Sequence, residues 1–143
     1  MSIQNILDRK GAEVISIQAD ATVRIAADRL RYHSIAALVV KNGDEITGLI
    51  SERDIVHAIS RHGERALLMT VGEVAPRAII TIDPADTIRR AMSLMTHHRV
   101  RHLVVTAAGK PIGIVSIGDV VKHRLEDLET ESNVLRDAYI AAH

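Results

Sequence analysis

The run Gly48-Leu49-Ile50-Ser51-Glu52-Arg53-Asp54-Ile55-Val56 returns 65 residues further on as Gly113-Ile114-Val115-Ser116-Ile117-Gly118-Asp119-Val120-Val121. In both, an apolar stretch ends, a hydroxyl residue stands where a helix can begin, and a carboxylate follows three positions later. Extended in both directions, the same offset aligns residues 14–59 with 79–124 without a gap. Thirteen of the 46 pairs are identical, among them Thr22/Thr87, His33/His98, Leu38/Leu103, Val39/Val104 and Val40/Val105. Chance pairing at an ordinary composition gives about 3. Most remaining core-like positions exchange Val, Ile, Leu and Met, so the chain is a tandem duplication.

Each copy carries the same order of elements. In the first, residues 14–17 form a short β-rich run. Residues 22–33 have helical periodicity, with Val23, Ala26, Ala27 and Leu30 on one stripe. Residues 36–40 are continuously apolar, as a buried strand is. Lys41-Asn42-Gly43-Asp44 contains Asn-Gly, a strong hairpin signal. Residues 46–50 return, and Ser51 starts a helix to about residue 60. The second copy predicts a strand at 79–82, a helix from about 86 to 98, a strand at 102–105, a turn at Ala108-Gly109, a strand at 112–115 and a helix from Ser116. Pro84 stands before its helix, where proline is tolerated. The connector, residues 61–77, holds one helical turn at Thr70-Val71-Gly72-Glu73-Val74, and Ser2-Ile3-Gln4-Asn5-Ile6 has a similar pattern. The expected boundaries are a first repeat at 1–62, a second at 63–125 and a helical extension at 126–143. One β-α-β-β-α unit cannot cover both faces of its sheet, so the copies are expected to pack together about a pseudo-twofold axis. In the extension Leu125, Leu128, Leu135 and Tyr139 share a stripe. It either makes a dimer contact or packs on its own domain.

Composition narrows the chemistry. The 143 residues include 47% hydrophobic and 25% charged residues, with eighteen basic side chains balancing eighteen acidic ones. That describes a globular chain without a general polyelectrolyte grip on nucleic acid or anionic membrane. The absence of Cys excludes disulfides, thiolate zinc sites and thiol catalysis. With no Trp or Phe, a planar ligand would be held by aliphatic side chains. No apolar run approaches the roughly 18 residues of a membrane span. The first residues lack a signal-peptide pattern, so a cytoplasmic protein is expected.

The Ser-x-x-Asp pattern has two readings. It is a capping box, in which Ser and Asp satisfy free backbone donors at a helix start. It is also a ligand site: a helix N-terminus favours phosphate, and a carboxylate one turn in can accept from both hydroxyls of a ribose. The copies differ beside it. Copy two enters its second strand with Arg99-Val100-Arg101-His102, and copy one with Ser34-Ile35-Ala36-Ala37. The basic residues can neutralise phosphates or simply face water, and the first use would give copy two the tighter site. Arg53, where copy two has Gly118, either reaches a phosphate or is solvated.

Tandem β-α-β-β-α copies, each ending in Gly-h-h-Ser-x-x-Asp-h-h with h apolar, resemble the CBS domain pair, also called a Bateman module. The resemblance covers residues 2 to about 125. Its pieces are Thr22-Val23 and Thr87-Ile88, Ala37-Leu38-Val39-Val40 and His102-Leu103-Val104-Val105, and the two Ser-x-x-Asp runs. Met95-Thr96-His97-His98-Arg99-Val100-Arg101-His102-Leu103 is similar to a run in short stand-alone bacterial CBS-pair proteins. The resemblance implies a regulatory fold that binds adenine nucleotides in the cleft between the copies. The candidates are AMP foremost, then ADP, ATP, NAD or S-adenosylmethionine. It also implies disc-shaped homodimers. Carried over by position, Asp54 and Asp119 would hold ribose hydroxyls, with Ser51 and Ser116 near ribose or phosphate. Ile17, Ile82, Ile35 and Val100 would sandwich adenine, and Arg53, Arg99, Arg101 and His102 would serve the phosphates. Ser stands where family members often have Thr, and the hydroxyl is kept.

Eight histidines invite a metal reading. His98 and His102 are expected on a helix end and a strand start, not on one helical face, so no metal site is assigned. His33 and His98 are expected to close their helices. No Gly-x-Ser-x-Gly elbow and no phosphate-binding Gly-x-x-x-x-Gly-Lys-Ser/Thr loop is present. The expectation is therefore a non-enzymatic nucleotide sensor acting on an unidentified regulated protein. The alternative is a ligand-free interaction module for a partner enzyme or transporter.

Overall fold

The computed structural model describes residues 1–11, 13–76 and 78–142. The elements run α1 (Ile3–Lys10), β1 (Ser16–Gln18), α2 (Val23–His33), β2 (Ala37–Asn42), β3 (Glu45–Ser51), α3 (Glu52–His62), a 3-10 turn (Gly63–Leu68), α4 (Val71–Val74), β4 (Thr81–Ile82), α5 (Ile88–His98), β5 (His102–Ala107), β6 (Lys110–Ser116) and α6 (Ile117–Ala142). The α/β reading with two similar repeats holds. Arg77, at the end of the expected connector, and His143, at the end of the expected extension, lie outside the described residues.

The chain forms two compact units, Glu13–Ile79 and Met1–Ala12 with Ile80–His143. In the first, β1 pairs parallel with β2, and β2 pairs antiparallel with β3. In the second, β4, β5 and β6 repeat that order and those directions. The match extends to the register: Val40 faces Gly48 as Val105 faces Gly113, and each hairpin shifts register after that valine. The first turn falls one residue later than Asn-Gly implies. Asn42 pairs with Glu45, leaving Gly43-Asp44 as the turn. Gly43 alone takes a positive φ there, 64°, and the Gln18 side-chain amide brackets it by donating to its carbonyl and accepting from its N–H. In the second hairpin both Ala108 and Gly109 take positive φ, 51° and 75°.

Thr22 and Thr87 cap α2 and α5 by accepting from the backbone N–H three residues on. The second helix begins at Ile88, later than residue 86, because Asp86 turns back to accept from the Asp83 N–H. α2 buries Val23, Ala26 and Leu30, and α5 buries Ile88, Ala91 and Met95, each on its own unit's sheet. Both helices close with His33 and His98, followed by a left-handed residue, Ser34 or Arg99.

The compact units do not follow the repeats as the sequence divides them at 62 and 63. α1 stands ahead of the aligned segment 14–59 but packs with the second repeat, where Ile3, Ile6 and Leu7 complete the core. The Ile3 and Gln4 N–H groups donate to the carbonyls of Asp86 and Pro84. α4 stands ahead of the aligned segment 79–124 but packs with the first repeat: the Val71 and Gly72 N–H groups donate to the Ala21 and Ala19 carbonyls, and Val71 is fully buried. The motif glycines make room for these segments. A Cβ on Gly113 would lie 2.6 Å from Leu7 Cδ2, and one on Gly48 would lie 2.8 Å from the Pro76 carbonyl oxygen.

α6 runs for 26 residues, and Leu125, Leu128, Leu135 and Tyr139 of the expected stripe remain exposed, as does Val121 before them. Among the described residues, no helix is long and apolar enough to cross a membrane.

The glycine contacts give a graded expectation. Gly48→Ala meets rigid backbone and should destabilise by about 2–3 kcal/mol, whereas Gly113→Ala meets a leucine tip and should cost about 1 kcal/mol. Urea melts of both variants check this, and equal losses, or none, would contradict the close approach.

Candidate functional site

The two strand-to-helix junctions are built alike. Ser51 has extended φ and ψ of −110° and 166°, which turns the chain from β3 into α3. Asp54 Oδ2 accepts from the Ser51 N–H at 2.8 Å and from Ser51 Oγ at 2.9 Å, and the Asp54 N–H donates to Ser51 Oγ at 3.3 Å. In the second unit the Ser116 N–H donates to Asp119 Oδ2 at 2.9 Å, and the Asp119 N–H donates to Ser116 Oγ at 3.1 Å. The first helical N–H at each junction donates to the residue entering the middle strand: Glu52 to the Ala36 carbonyl at 3.0 Å, and Ile117 to the Arg101 carbonyl at 2.8 Å. The capping reading of Ser-x-x-Asp therefore holds in both copies. It leaves acceptor capacity unused. Both bonds to the Asp54 carboxylate fall on Oδ2, and Oδ1 takes no hydrogen bond among the described residues.

The other sequence-predicted residues fall into three groups. Arg101 is brought to the second junction through its carbonyl. It lines, with Ile117, Gly118, Val121 and Lys122, an open groove of about 800 Å³ along the start of α6. A Cβ on Gly118 would meet only Ser116 Oγ, at 3.6 Å, so this helix start is uncovered where the first copy carries the exposed side chain of Arg53. His102 opens β5 directly opposite Ser116, as Ala37 lies opposite Ser51. Ile17 and Ile82 are buried in the cores of their units, and Ile35 and Val100 pack half-buried on those cores. Arg99 sits apart in role: it is the exposed left-handed residue ending α5, with φ 54°. No group of three or more His, Cys, Asp or Glu stands ready to hold a metal ion among the described residues.

One residue of the second junction was not foreseen. Lys10, at the end of α1, donates from Nζ to Asp119 Oδ2 at 2.7 Å and to the Ile114 carbonyl at 2.9 Å. The repeat alignment starts after Lys10, and only the packing of α1 with the second repeat brings it there. The pair of basic residues Arg9-Lys10 closing an amphipathic helix was the available signal, and it named no partner.

The charge state of Asp119 reflects this neighbour. Partial burial pushes its carboxyl up, but the Lys10 hydrogen bond, the Ser116 N–H, the Lys10 charge and the Ser116 side chain together carry it below its ordinary value. A carboxyl held lower in the folded chain than in the unfolded one stabilises the fold above the unfolded value. That contribution is lost as pH falls from about 4 through the lowered folded value. Melts between pH 6 and pH 2 should show wild type losing stability more steeply than Asp119→Asn below about pH 4. Parallel profiles would contradict the assignment.

The CBS domain family matches the chain twice, over residues 6–61 and 71–126. A CBS domain-containing protein of Arabidopsis thaliana, named as mitochondrial, is 34% identical over 148 residues, which take in 97% of this chain and 71% of that one. Among solved structures, a CBS-domain containing protein from Agrobacterium tumefaciens superposes with a TM-score of 0.82 at 35% identity, covering 86% of this chain and 92% of the other. A CBS domain pair solved in complex with 5-methylthioadenosine and S-adenosyl-L-methionine shares the fold, with a TM-score of 0.78 at 19% identity over 89% of this chain and 98% of its own. With the same β-α-β-β-α order, the same register and the same capped junction in each half, this chain belongs to the CBS domain family and carries two CBS domains in tandem.

Proposed function

We propose that the chain is a non-enzymatic regulatory protein that binds an adenine nucleotide through the carboxylates following its two middle hairpins. The observation that carries this reading is at Asp54. The cap uses one oxygen of the carboxylate and leaves the other, half-exposed at a helix N-terminus, able to accept from a ribose hydroxyl. The fold relative bound to methylthioadenosine and S-adenosylmethionine supports adenosine as the common part of the ligand. AMP is the first ligand to try, with ADP, ATP and NAD beside it. Arg53 in the first repeat and Arg101 and His102 in the second are the groups that would meet phosphate.

Calorimetric titration with that panel tests the reading, and no heat from any member at millimolar concentration would sink it. Asp54→Asn should separate cap from ligand. The amide keeps one oxygen for the Ser51 N–H and loses the charge. Hydrogen bonds to charged groups are worth about 1.5–3 kcal/mol, so affinity should fall by roughly 10- to 150-fold while stability changes by less than about 1 kcal/mol. A destabilised variant with unchanged affinity would make Asp54 a cap only.

The α6 stripe favours self-association as part of the same function. Val121, Leu125, Leu128 and Leu135 leave an apolar line exposed on one chain, and a second copy covering it would remove that surface from water. Sedimentation should give twice the 15.6 kDa of one chain. A species at one chain's mass across micromolar concentrations would contradict it.

A further inference from the structure

α6 has two faces. Its buried residues, Val120 and His123, lie on one of them. The other follows a seven-residue repeat. With Gly118 at the first position, Val121, Leu125, Leu128, Ser132 and Leu135 occupy the alternating fourth and first positions of successive heptads, and the pattern runs on to Tyr139 and Ala142. Val120 and His123 then fall at third and sixth positions, away from this seam. The seam is bare, for Val121, Leu125, Leu128 and Leu135 are 47%, 56%, 44% and 71% exposed. The groove of about 800 Å³ lined by Gly118, Val121 and Leu125 lies along it.

Charge and size on the seam select what covers it. Exposed cations, Lys122 and Arg124, flank its first heptad, and exposed anions, Glu129 and Glu131, flank the same positions of the second. A second α6 running antiparallel, with Leu125 against the partner's Leu128, brings Lys122 beside the partner's Glu129 and Arg124 beside the partner's Glu131, each twice by symmetry. It also sets small against large: Gly118 faces the partner's Leu135, and Val121 the partner's Ser132. Parallel pairing in register matches charges as well, Arg124 with Glu129 and Glu131 with Arg136. It stacks glycine on glycine and serine on serine, however, and leaves gaps that a packed seam does not tolerate. Resting on the self-association reading above, we propose that α6 pairs with α6 of a second copy as an antiparallel two-helix coiled coil centred on Leu125 and Leu128. The far half of each helix fills the groove along the start of the other.

The chain has no cysteine, so single cysteines report the register directly. Antiparallel pairing separates like residues at 121, and at 132, by about 16 Å along the axis, beyond the reach of a disulfide. Val121→Cys and Ser132→Cys should each sediment as a dimer and form no interchain disulfide alone under mild oxidation. Mixed and allowed to exchange, they should give a disulfide-linked dimer. Lys122→Glu and Glu129→Lys should each weaken the dimer by at least about threefold, and the double variant should restore it to within twofold. A disulfide from either cysteine variant alone, an unlinked dimer from the mixture, or a double variant as weak as the single ones would overturn the antiparallel seam while leaving self-association standing. Wild type at the mass of one chain across micromolar concentrations would instead take down the self-association reading, and this pairing with it.

Discussion

Leu7 lies so close to Gly113 that an added Cβ would have to push its side-chain tip aside, and the Pro76 carbonyl lies nearly as close to Gly48. The architecture of each unit rests on these two approaches. They let a segment that precedes one repeat in sequence pack with the other, and that segment supplies core residues the repeat does not itself contain: Ile3, Ile6 and Leu7 in one unit, Val71 in the other. A three-stranded sheet with a helix at each end of its hairpin has too little apolar surface to close a core alone. The glycine of the Gly-h-h-Ser-x-x-Asp run is therefore there for packing, three residues before the strand ends, and the Ser and Asp are there for the turn into the helix.

Duplication preserved what those constraints need and released the rest. The caps, the register shift after Val40 and Val105, and the helix-closing His33 and His98 are common to both units. What differs is charge around the junction. The first repeat places Arg53 on the helix beside its aspartate, and the second places Gly118 there and Arg101 just before β5. Because α1 and α4 differ in length, the second repeat also receives Lys10. Two junctions with the same backbone thus present different electrostatic faces, through Arg53, Gly118 and Arg101 inside the aligned segments and Lys10 outside them.

That distribution explains what could be read from the amino-acid sequence. The strands, helices and caps follow from local patterns: the apolar run Ala37-Leu38-Val39-Val40, the stripe Val23-Ala26-Leu30, and Ser three residues before Asp. The hairpin turn was legible as a turn but not in its placement. Asn-Gly and Gly-Asp both satisfy the short-loop rule, and the choice was made by Gln18, which is distant in sequence. The exchange of α1 and α4 was not legible, because Ser2-Ile3-Gln4-Asn5-Ile6 and Thr70-Val71-Gly72-Glu73-Val74 show that a helical turn precedes each repeat but not which sheet it covers. Lys10 was hidden by the same step. A contact across 109 positions leaves no local trace.

The contacts that hold α1 differ in strength. The Arg9–Glu126 pair is largely solvated, with side chains 58% and 35% exposed, and such pairs contribute about 0–1 kcal/mol. Lys10 and Asp119 are 38% and 24% exposed, so solvent screens them as well. By contrast, burying an Ile or Leu side chain is worth about 1.5–3 kcal/mol, and Ile3, Ile6 and Leu7 are each exposed by 2% or less. Apolar contact, reinforced by the backbone bonds from Ile3 and Gln4, holds the helix in place. The ion pairs at its far end are the weakest part of the attachment. The anchor of α1 and the ion pairs at its end are therefore separate groups, from under one turn to about two turns apart along the helix.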